Sequence, residues 1–257
     1  MVREEAPNGV RTRFCEVVAS LRDFNDQELR NLVCRVTDVP PDFGSLLYFD
    51  IWPEAQRIIY ACEWFHFYEI VEEVSQLFRR KDGVGTALVR VAQQGEILAK
   101  AMNEILANRG IGWQLVEGCI VFRGDIGFER TIASAVEALT KAGRPTAAEH
   151  VTSAIHALSE RPKADTPGAV AHATSALECV LGEITGEALT LGKYLDRHSR
   201  LLHPALKKAL DGIYGYASDA GARHGKEGIE PSLEEAQFAV STCSAACTLL
   251  TNRPPQP

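Results

Sequence analysis

Apolar residues recur at intervals of three and four positions along nearly the whole chain, and this spacing constrains the fold more than any other feature of the sequence. An α-helix turns once every 3.6 residues, so such spacing places the apolar side chains on one helical face. At least seven segments carry the pattern, and one of them contains Val170, Ala173, Leu177, Val180 and Ile184. The sequence therefore predicts a mainly α-helical protein.

Helix-starting residues divide this pattern into separate helices. Two short helices are expected over 11–21 and 27–36, and one longer helix is expected to begin at Pro53 and to end near Phe78. Asp125 and Thr166 are predicted N-caps, and Pro204 is expected to open a helix. Ser232 with Glu235 three residues later has the spacing of a capping box at the start of the last helix.

One short stretch departs from the helical pattern. Two β-prone runs flank Glu117-Gly118, a pair that suits a tight turn. The sequence therefore predicts a small β-hairpin near residues 112–123.

These elements suggest three structured parts and a tail. We expect a helical N-terminal domain over 1–82, connecting helices with the hairpin over 83–162, and a helical C-terminal module over 163–251. The boundary after the first domain is placed at 81–85. Residues 252–257 are polar and rich in proline, which favours a disordered tail.

Composition excludes several classes of protein. The net charge of −7 argues against wrapping of nucleic acid by bulk charge, although a local basic site is compatible with it. No apolar run reaches the roughly 18 residues of a membrane span, so we expect a cytoplasmic protein that does not interact with membranes. Seven cysteines without paired spacing favour reduced core thiols, and Cys243 and Cys247 lie on an apolar stripe.

Motifs exclude further classes. The chain lacks the phosphate-binding loop, the nucleophile elbow, the His-Glu-x-x-His pair and the dinucleotide-binding glycine pattern. We expect no metal and no cofactor. His150, His156 and His172 are interpreted as surface or hydrogen-bonded structural residues. Glu178 is either a helix-surface carboxylate or a buried orienting group.

The segment 215–228 concentrates chemically active side chains among glycines, between two apolar helices. Arg223 can bind a phosphate through paired charge-assisted hydrogen bonds, and His224 can exchange a proton near neutral pH. Ser218, Asp219 and Lys226 are candidate supporting residues, and Arg197 or Arg200 could add positive charge. The alternative is a solvated turn in which Ser218 and Asp219 cap helix ends.

Residues 168–250 resemble the abortive-infection C-terminal proteins and the wider HEPN superfamily. The matching order is Ala169 to Glu178, Thr190-Leu191-Gly192, Leu206 to Tyr216, Arg223-His224-Gly225 and the helix from Ser232. The stretches Leu29-Arg30-Asn31 and Trp64 to Glu72 resemble the N-terminal domains fused to such modules in AbiJ-type phage-defence proteins.

This resemblance implies a HEPN-like bundle in a homodimer that cleaves RNA without a metal, His moving the proton and Arg neutralising the phosphate. His224 matches the family's His. The earlier Arg-polar position reads Ser218-Asp219, and the available arginine is Arg223. Two hypotheses follow: a phage-defence protein that acts on or binds RNA, or a non-catalytic module that senses a ligand or binds a partner protein of a defence system.

Overall fold

A computed structural model describes residues 3–21, 25–42, 51–80, 87–198, 201–219 and 230–253, without the side chains of 79–80 and 87–93. Within these residues the chain forms eleven helices and one two-stranded hairpin. The predicted mainly α-helical fold and the predicted hairpin are confirmed.

The elements follow one another as α1 Asn8–Ser20, α2 Asp26–Thr37, α3 Ile51–Ala61, α4 Trp64–Arg80, α5 Ala87–Asn108, β1 Trp113–Val116, β2 Cys119–Phe122, α6 Ile126–Lys141, α7 Pro145–Leu158, α8 Thr166–Thr185, α9 Leu191–Arg197, α10 Pro204–Asp219 and α11 Leu233–Thr251.

The chain forms two compact units, Met1–Val121 and Phe122–Pro257. The domain boundary expected at 81–85 lies outside the described residues. The division into 1–82, 83–162 and 163–251 stays a prediction.

Aromatic and branched side chains fill the core of the N-terminal unit. Phe14, Leu29, Ile59 and Phe67 are fully buried. The rings of Phe14 and Phe67 meet edge to face, with centroids 5.6 Å apart, a preferred arrangement for aromatic pairs. These contacts join α1 to α4, so the apolar stripes of both helices contribute to one core.

A buried arginine accounts for an error in the sequence prediction. The single helix expected from Pro53 to Phe78 is two helices, because α3 ends at Ala61 and α4 begins at Trp64. In a continuous helix the Ile59 carbonyl would accept from the amide of Glu63. Here Arg11 donates from Nη1 to that carbonyl and lies 3.2 Å from the Cys62 sulfur. The guanidinium therefore takes the acceptor that would continue the helix.

Three side chains hold the backbone of residues 3–6. The Trp113 indole donates to the Arg3 carbonyl at 2.8 Å, and the Tyr68 hydroxyl donates to the Glu5 carbonyl at 2.9 Å. Arg11 Nε donates to the Ala6 carbonyl at 2.7 Å. Because the three donors come from β1, α4 and α1, this short segment is tied to three elements of the N-terminal unit.

The hairpin has the turn that its sequence predicts. Glu117 and Gly118 both have positive φ, 51° and 87°, as a two-residue hairpin turn with matching twist requires. The Asn103 amide on α5 accepts from the Leu115 amide at 2.7 Å and donates to the Leu115 carbonyl at 2.9 Å. This double contact fixes β1 on α5.

The C-terminal unit is a bundle in which α6, α7, α8 and α11 pack in a ring, with α9 and α10 added on α8. Both α7 and α8 carry small side chains that are at most 1% exposed, among them Ala147, Ala154, Ala169 and Ala173. Small buried side chains permit close approach of helix backbones, and α7 packs extensively on α8.

Two of the three predicted N-caps are confirmed. Asp125 accepts from the Phe128 amide at 2.9 Å, and Ser232 with Glu235 forms a complete capping box. The predicted cap at Thr166 is wrong. Asp165 is the N-cap and accepts from the Gly168 amide at 2.9 Å, whereas the Thr166 hydroxyl donates to the Pro231 carbonyl. Pro204 opens α10 as expected, whereas the short helix α9 was not predicted.

Of the expected tail, Asn252 and Arg253 are described, and the remaining residues lie outside the described part. Asn252 ends α11, and Arg253 donates to the Leu201 carbonyl. Across the described ranges, no helix combines the length and apolar character that a membrane crossing demands.

An ion pair is buried in the N-terminal unit. Arg30 Nη1 lies 3.6 Å from Glu54 Oε2, and the two side chains are only 9% and 8% exposed. The other carboxylate oxygen of Glu54 accepts from the Asp42 amide at 2.6 Å. Removal of one partner from such a pair leaves a buried charge without compensation.

We expect Glu54→Leu to lower the free energy of unfolding by about 3–5 kcal/mol, the usual cost of breaking a buried ion pair from one side. The double variant Arg30→Met/Glu54→Leu should recover much of this loss, because it removes the stranded charge as well. Urea unfolding followed by circular dichroism measures both values. Equal stabilities of the single and double variants would show that the stranded charge is not the cause.

Candidate functional site

Three of the six predicted site residues, Arg223, His224 and Lys226, lie outside the described residues, as does Arg200. The other three, Glu178, Ser218 and Asp219, are described. The roles assigned to all six residues stay predictions. The described chain ends before this segment at Asp219 and continues after it at Glu230.

Ser218 and Asp219 are the last two residues of α10. The Ser218 hydroxyl donates to the Tyr214 carbonyl one turn earlier, at 2.9 Å. Asp219 is exposed. At the end of α10, the Ser218 hydroxyl is therefore already bonded to its own helix, and the Asp219 carboxylate is exposed to solvent. A carboxylate at this position repels phosphate.

Glu178 bonds to a neighbouring helix. Its Oε1 accepts from the Leu191 amide at 2.6 Å, and Leu191 is the first residue of α9. The first amides of a helix have no partner inside it, and negative charge at this end is favourable. The half-buried Glu178 side chain thus bonds to the start of α9, and its orienting role stays a prediction.

A charged cluster joins the connection before α9 to the end of that helix. Arg197 Nη1 lies 3.0 Å and His198 Nε2 lies 3.3 Å from Glu187 Oε2. Hydrogen bonding from His198, followed by Arg197, holds the pKa of Glu187 below its ordinary value. Arg197, a candidate for phosphate binding, is thus already paired with a carboxylate.

A cavity of about 430 Å³ lies between α10 and α11, beside the point where the described chain stops at Asp219 and resumes at Glu230. Its described lining residues are Ile213, Tyr216, Glu234, Glu235 and Phe238. Phe238 is 65% exposed, which is unusual for a large aromatic side chain. Burial raises the pKa of Tyr216, and the Glu235 carboxylate raises it further.

The lining determines which groups the cavity can accept. Its described residues offer two aromatic rings, one aliphatic side chain and two carboxylates, and they include no cation. Such a surface suits an aromatic or apolar group that carries N–H donors, whereas a phosphate would meet only negative charge. Sequence reasoning missed this cavity, although Phe238 on the outer face of α11 was a usable signal.

Three histidines and two cysteines on described helices of the C-terminal unit are predicted to be structural residues. His150 and His172 contact each other across α7 and α8, whereas His156 is exposed. Cys243 and Cys247 are buried, which confirms their predicted place in the core. Burial raises the pKa of Cys243 to about 12, so its thiol stays protonated at neutral pH. The described part of the chain holds no group of three or more metal-ligating side chains.

Glu178→Ala should lower the free energy of unfolding by about 1.5–3 kcal/mol, the typical value of a hydrogen bond to a charged group. Glu178→Gln keeps an acceptor for the Leu191 amide and should lose clearly less. Hydrogen exchange of the α9 amides, measured by mass spectrometry, should accelerate in Glu178→Ala. Unchanged exchange there would contradict the orienting role.

Comparison with known proteins adds an independent finding. No curated protein and no solved structure matches the chain significantly. The family model described as AbiJ N-terminal domain 4 matches residues 1–138 and so extends from the first residue into α6. The match supports an abortive-infection protein of the AbiJ type. Because the matched span is more than half of the chain, this protein belongs to the AbiJ N-terminal domain 4 family.

Proposed function

We propose that the protein is a phage-defence protein of the abortive-infection type whose C-terminal unit is a HEPN-like module that acts on or binds RNA. The observation that carries the defence role is the family match over residues 1–138. The RNA role rests on the resemblance of residues 168–250 to HEPN proteins, and it is the part that needs an experiment.

The helices of the C-terminal unit support this proposal. Ala169 to Glu178 lie on α8, Leu191 begins α9, Leu206 to Tyr216 lie on α10, and Ser232 caps α11. The described segments of the resemblance therefore fall in chain order on helices of one compact unit. Such a unit is a suitable support for the segment that carries Arg223 and His224.

The proposed reaction is transesterification of RNA. The 2′-hydroxyl attacks the adjacent phosphorus, and the bond from phosphorus to the 5′-oxygen breaks. His224 accepts or supplies the proton, and Arg223 neutralises the charge that grows on the phosphoryl oxygens. The products are a 2′,3′-cyclic phosphate and a 5′-hydroxyl. Lys226 would add positive charge, which the described lining residues of the cavity between α10 and α11 do not supply.

We propose that the active form is a homodimer through the C-terminal unit, with the Arg223-His224 segments facing one cleft. The Arg223-His224 segment supplies one His and one Arg for each subunit, which are few for two-sided proton transfer. A two-fold interface doubles both. Leu206 on α10 and Phe238 and Leu249 on α11 are large apolar residues that are 45%, 65% and 40% exposed, and an interface could cover them.

Light scattering should therefore give about twice the mass of one chain at micromolar concentration, since two-fold dimers are the commonest soluble assembly. Phe238→Glu should shift the protein towards the monomer. Ile126→Glu is the matched control, because Ile126 is 66% exposed and lies on α6. A wild-type protein that stays monomeric would contradict the proposed dimer and weaken the ribonuclease proposal.

Induction of the wild-type protein during phage challenge should slow growth and cleave cellular RNA, and His224→Ala should remove both effects with the helical content unchanged. A loss of roughly 10²–10⁴-fold in cleavage rate is expected from removal of a general acid or base. His203→Ala is the matched control, since His203 is an exposed histidine just before α10. Sequencing of RNA ends detects the cleavage.

If induced wild-type protein leaves RNA and growth unchanged under phage challenge, the effector role is wrong. Protection that persists in His224→Ala without RNA cleavage would instead favour a non-catalytic module that senses a ligand or binds a partner protein. This second function is favoured by the acidic, aromatic cavity and by Asp219 beside the predicted site. In that case Phe238→Ala, which opens the cavity wall, should abolish protection.

A further inference from the structure

Two histidines face each other on neighbouring helices of the C-terminal unit. His150 lies on α7 and His172 on α8, and their Nδ1 atoms are 3.3 Å apart. The ring centroids are 5.6 Å apart, and the ring planes are inclined by 38°. Both side chains are half-buried, so the pair can be reached from solvent.

The helices that carry this pair are held firmly. Ala147 and Ala154 on α7 and Ala169 and Ala173 on α8 are at most 1% exposed and permit close approach of the two backbones. At the connection, the Asp165 amide donates to the Ala157 carbonyl at 2.9 Å. The packing of the helices therefore fixes the backbone positions of both histidines, so that only side-chain rotation changes the separation of the two rings.

The separation of the two nitrogens matches a metal-binding geometry. Zinc–imidazole bonds of about 2.0–2.1 Å at the tetrahedral angle place two ligand nitrogens about 3.3–3.4 Å apart. An ion could thus be bound by both Nδ1 atoms without a shift of either helix. We propose that His150 and His172 form a two-ligand site for a divalent transition-metal ion, with Cu²⁺ bound more tightly than Zn²⁺.

The proton balance of this binding is simple. As a neutral hydrogen-bonded pair, one imidazole carries its proton on Nδ1 and the other accepts at Nδ1. Metal binding needs a lone pair on both Nδ1 atoms, so the first ring takes its tautomer with the proton on Nε2, and no net proton is released. The metal–nitrogen bonds replace the hydrogen bond.

Such a site leaves coordination positions open. No third His, Cys, Asp or Glu of the described chain completes it, so water or an added ligand would fill the remaining positions. Binding should be reversible and should link α7 to α8. Because a ligand that binds only the folded state stabilises it, the metal should raise the unfolding temperature. This inference is independent of the RNA proposal.

The test uses the full chain, stripped of metal with a chelator and titrated with CuCl₂ or ZnCl₂ in a calorimeter. We expect one ion per chain and a higher unfolding temperature. His150→Gln and His172→Gln keep a polar side chain but should each weaken binding by more than about tenfold, since even outer-shell partners of a metal are worth that much. His156→Gln changes an exposed residue of α7, the helix that carries His150, and this variant should bind the metal like wild type. The electron paramagnetic resonance spectrum of the Cu²⁺ form should show coupling to two imidazole nitrogens.

Three results would overturn the proposal. The first is equal affinity in wild type, His150→Gln and His172→Gln. The second is binding that disappears when the cysteines are alkylated and persists in both variants. The third is an equal effect of the variants on stability with and without metal, which would make the pair only a hydrogen-bonded contact.

Discussion

The C-terminal unit depends on the burial of one helix. α8 packs against α7, α9, α10 and α11, and nine of its residues are buried. A helix covered on so many sides can tolerate few polar groups, and those it carries must be used. The Thr166 hydroxyl binds the backbone before α11, Glu178 binds the start of α9, and His172 meets α7. Each of these three side chains of α8 therefore contacts another element. The two helices beside the candidate site, α10 and α11, both pack on α8.

Much of the fold could be predicted from the sequence because local signals determine it. The Ser232–Glu235 capping box, the Asp125 cap and the turn at Glu117-Gly118 involve residues a few positions apart, and all three are observed. The errors come from long-range contacts. The break between α3 and α4 depends on Arg11, some 48 residues earlier, and the cap moves to Asp165 because Thr166 binds Pro231, 65 residues later. No local pattern contains such information.

The candidate site was less accessible to sequence reasoning, for a related reason. Residue types in 215–228 identify chemistry, but the surroundings that tune it come from other elements. The contact of Glu178 with the Leu191 amide joins residues 13 positions apart on two helices, which no local pattern predicts. The cavity needs α10 and α11 side by side, and the His150–His172 pair needs the register of α7 against α8. Spacing within one helix does not specify either arrangement.

The tethering of residues 3–6 has a practical consequence for how the protein is cut or extended. Trp113 and Tyr68 are 2% and 0% exposed, and both donate to carbonyls of this segment, so residues 3–6 pack against the core of the N-terminal unit. Arg11 donates to the Ala6 carbonyl in the same way. A shortened form starting after Ala6 would therefore lose three hydrogen bonds of the N-terminal unit, each worth about 0.5–1.5 kcal/mol. Trimming past Ala6 by an aminopeptidase would thus lower the stability of this unit, whereas residues added before Arg3 leave these bonds intact.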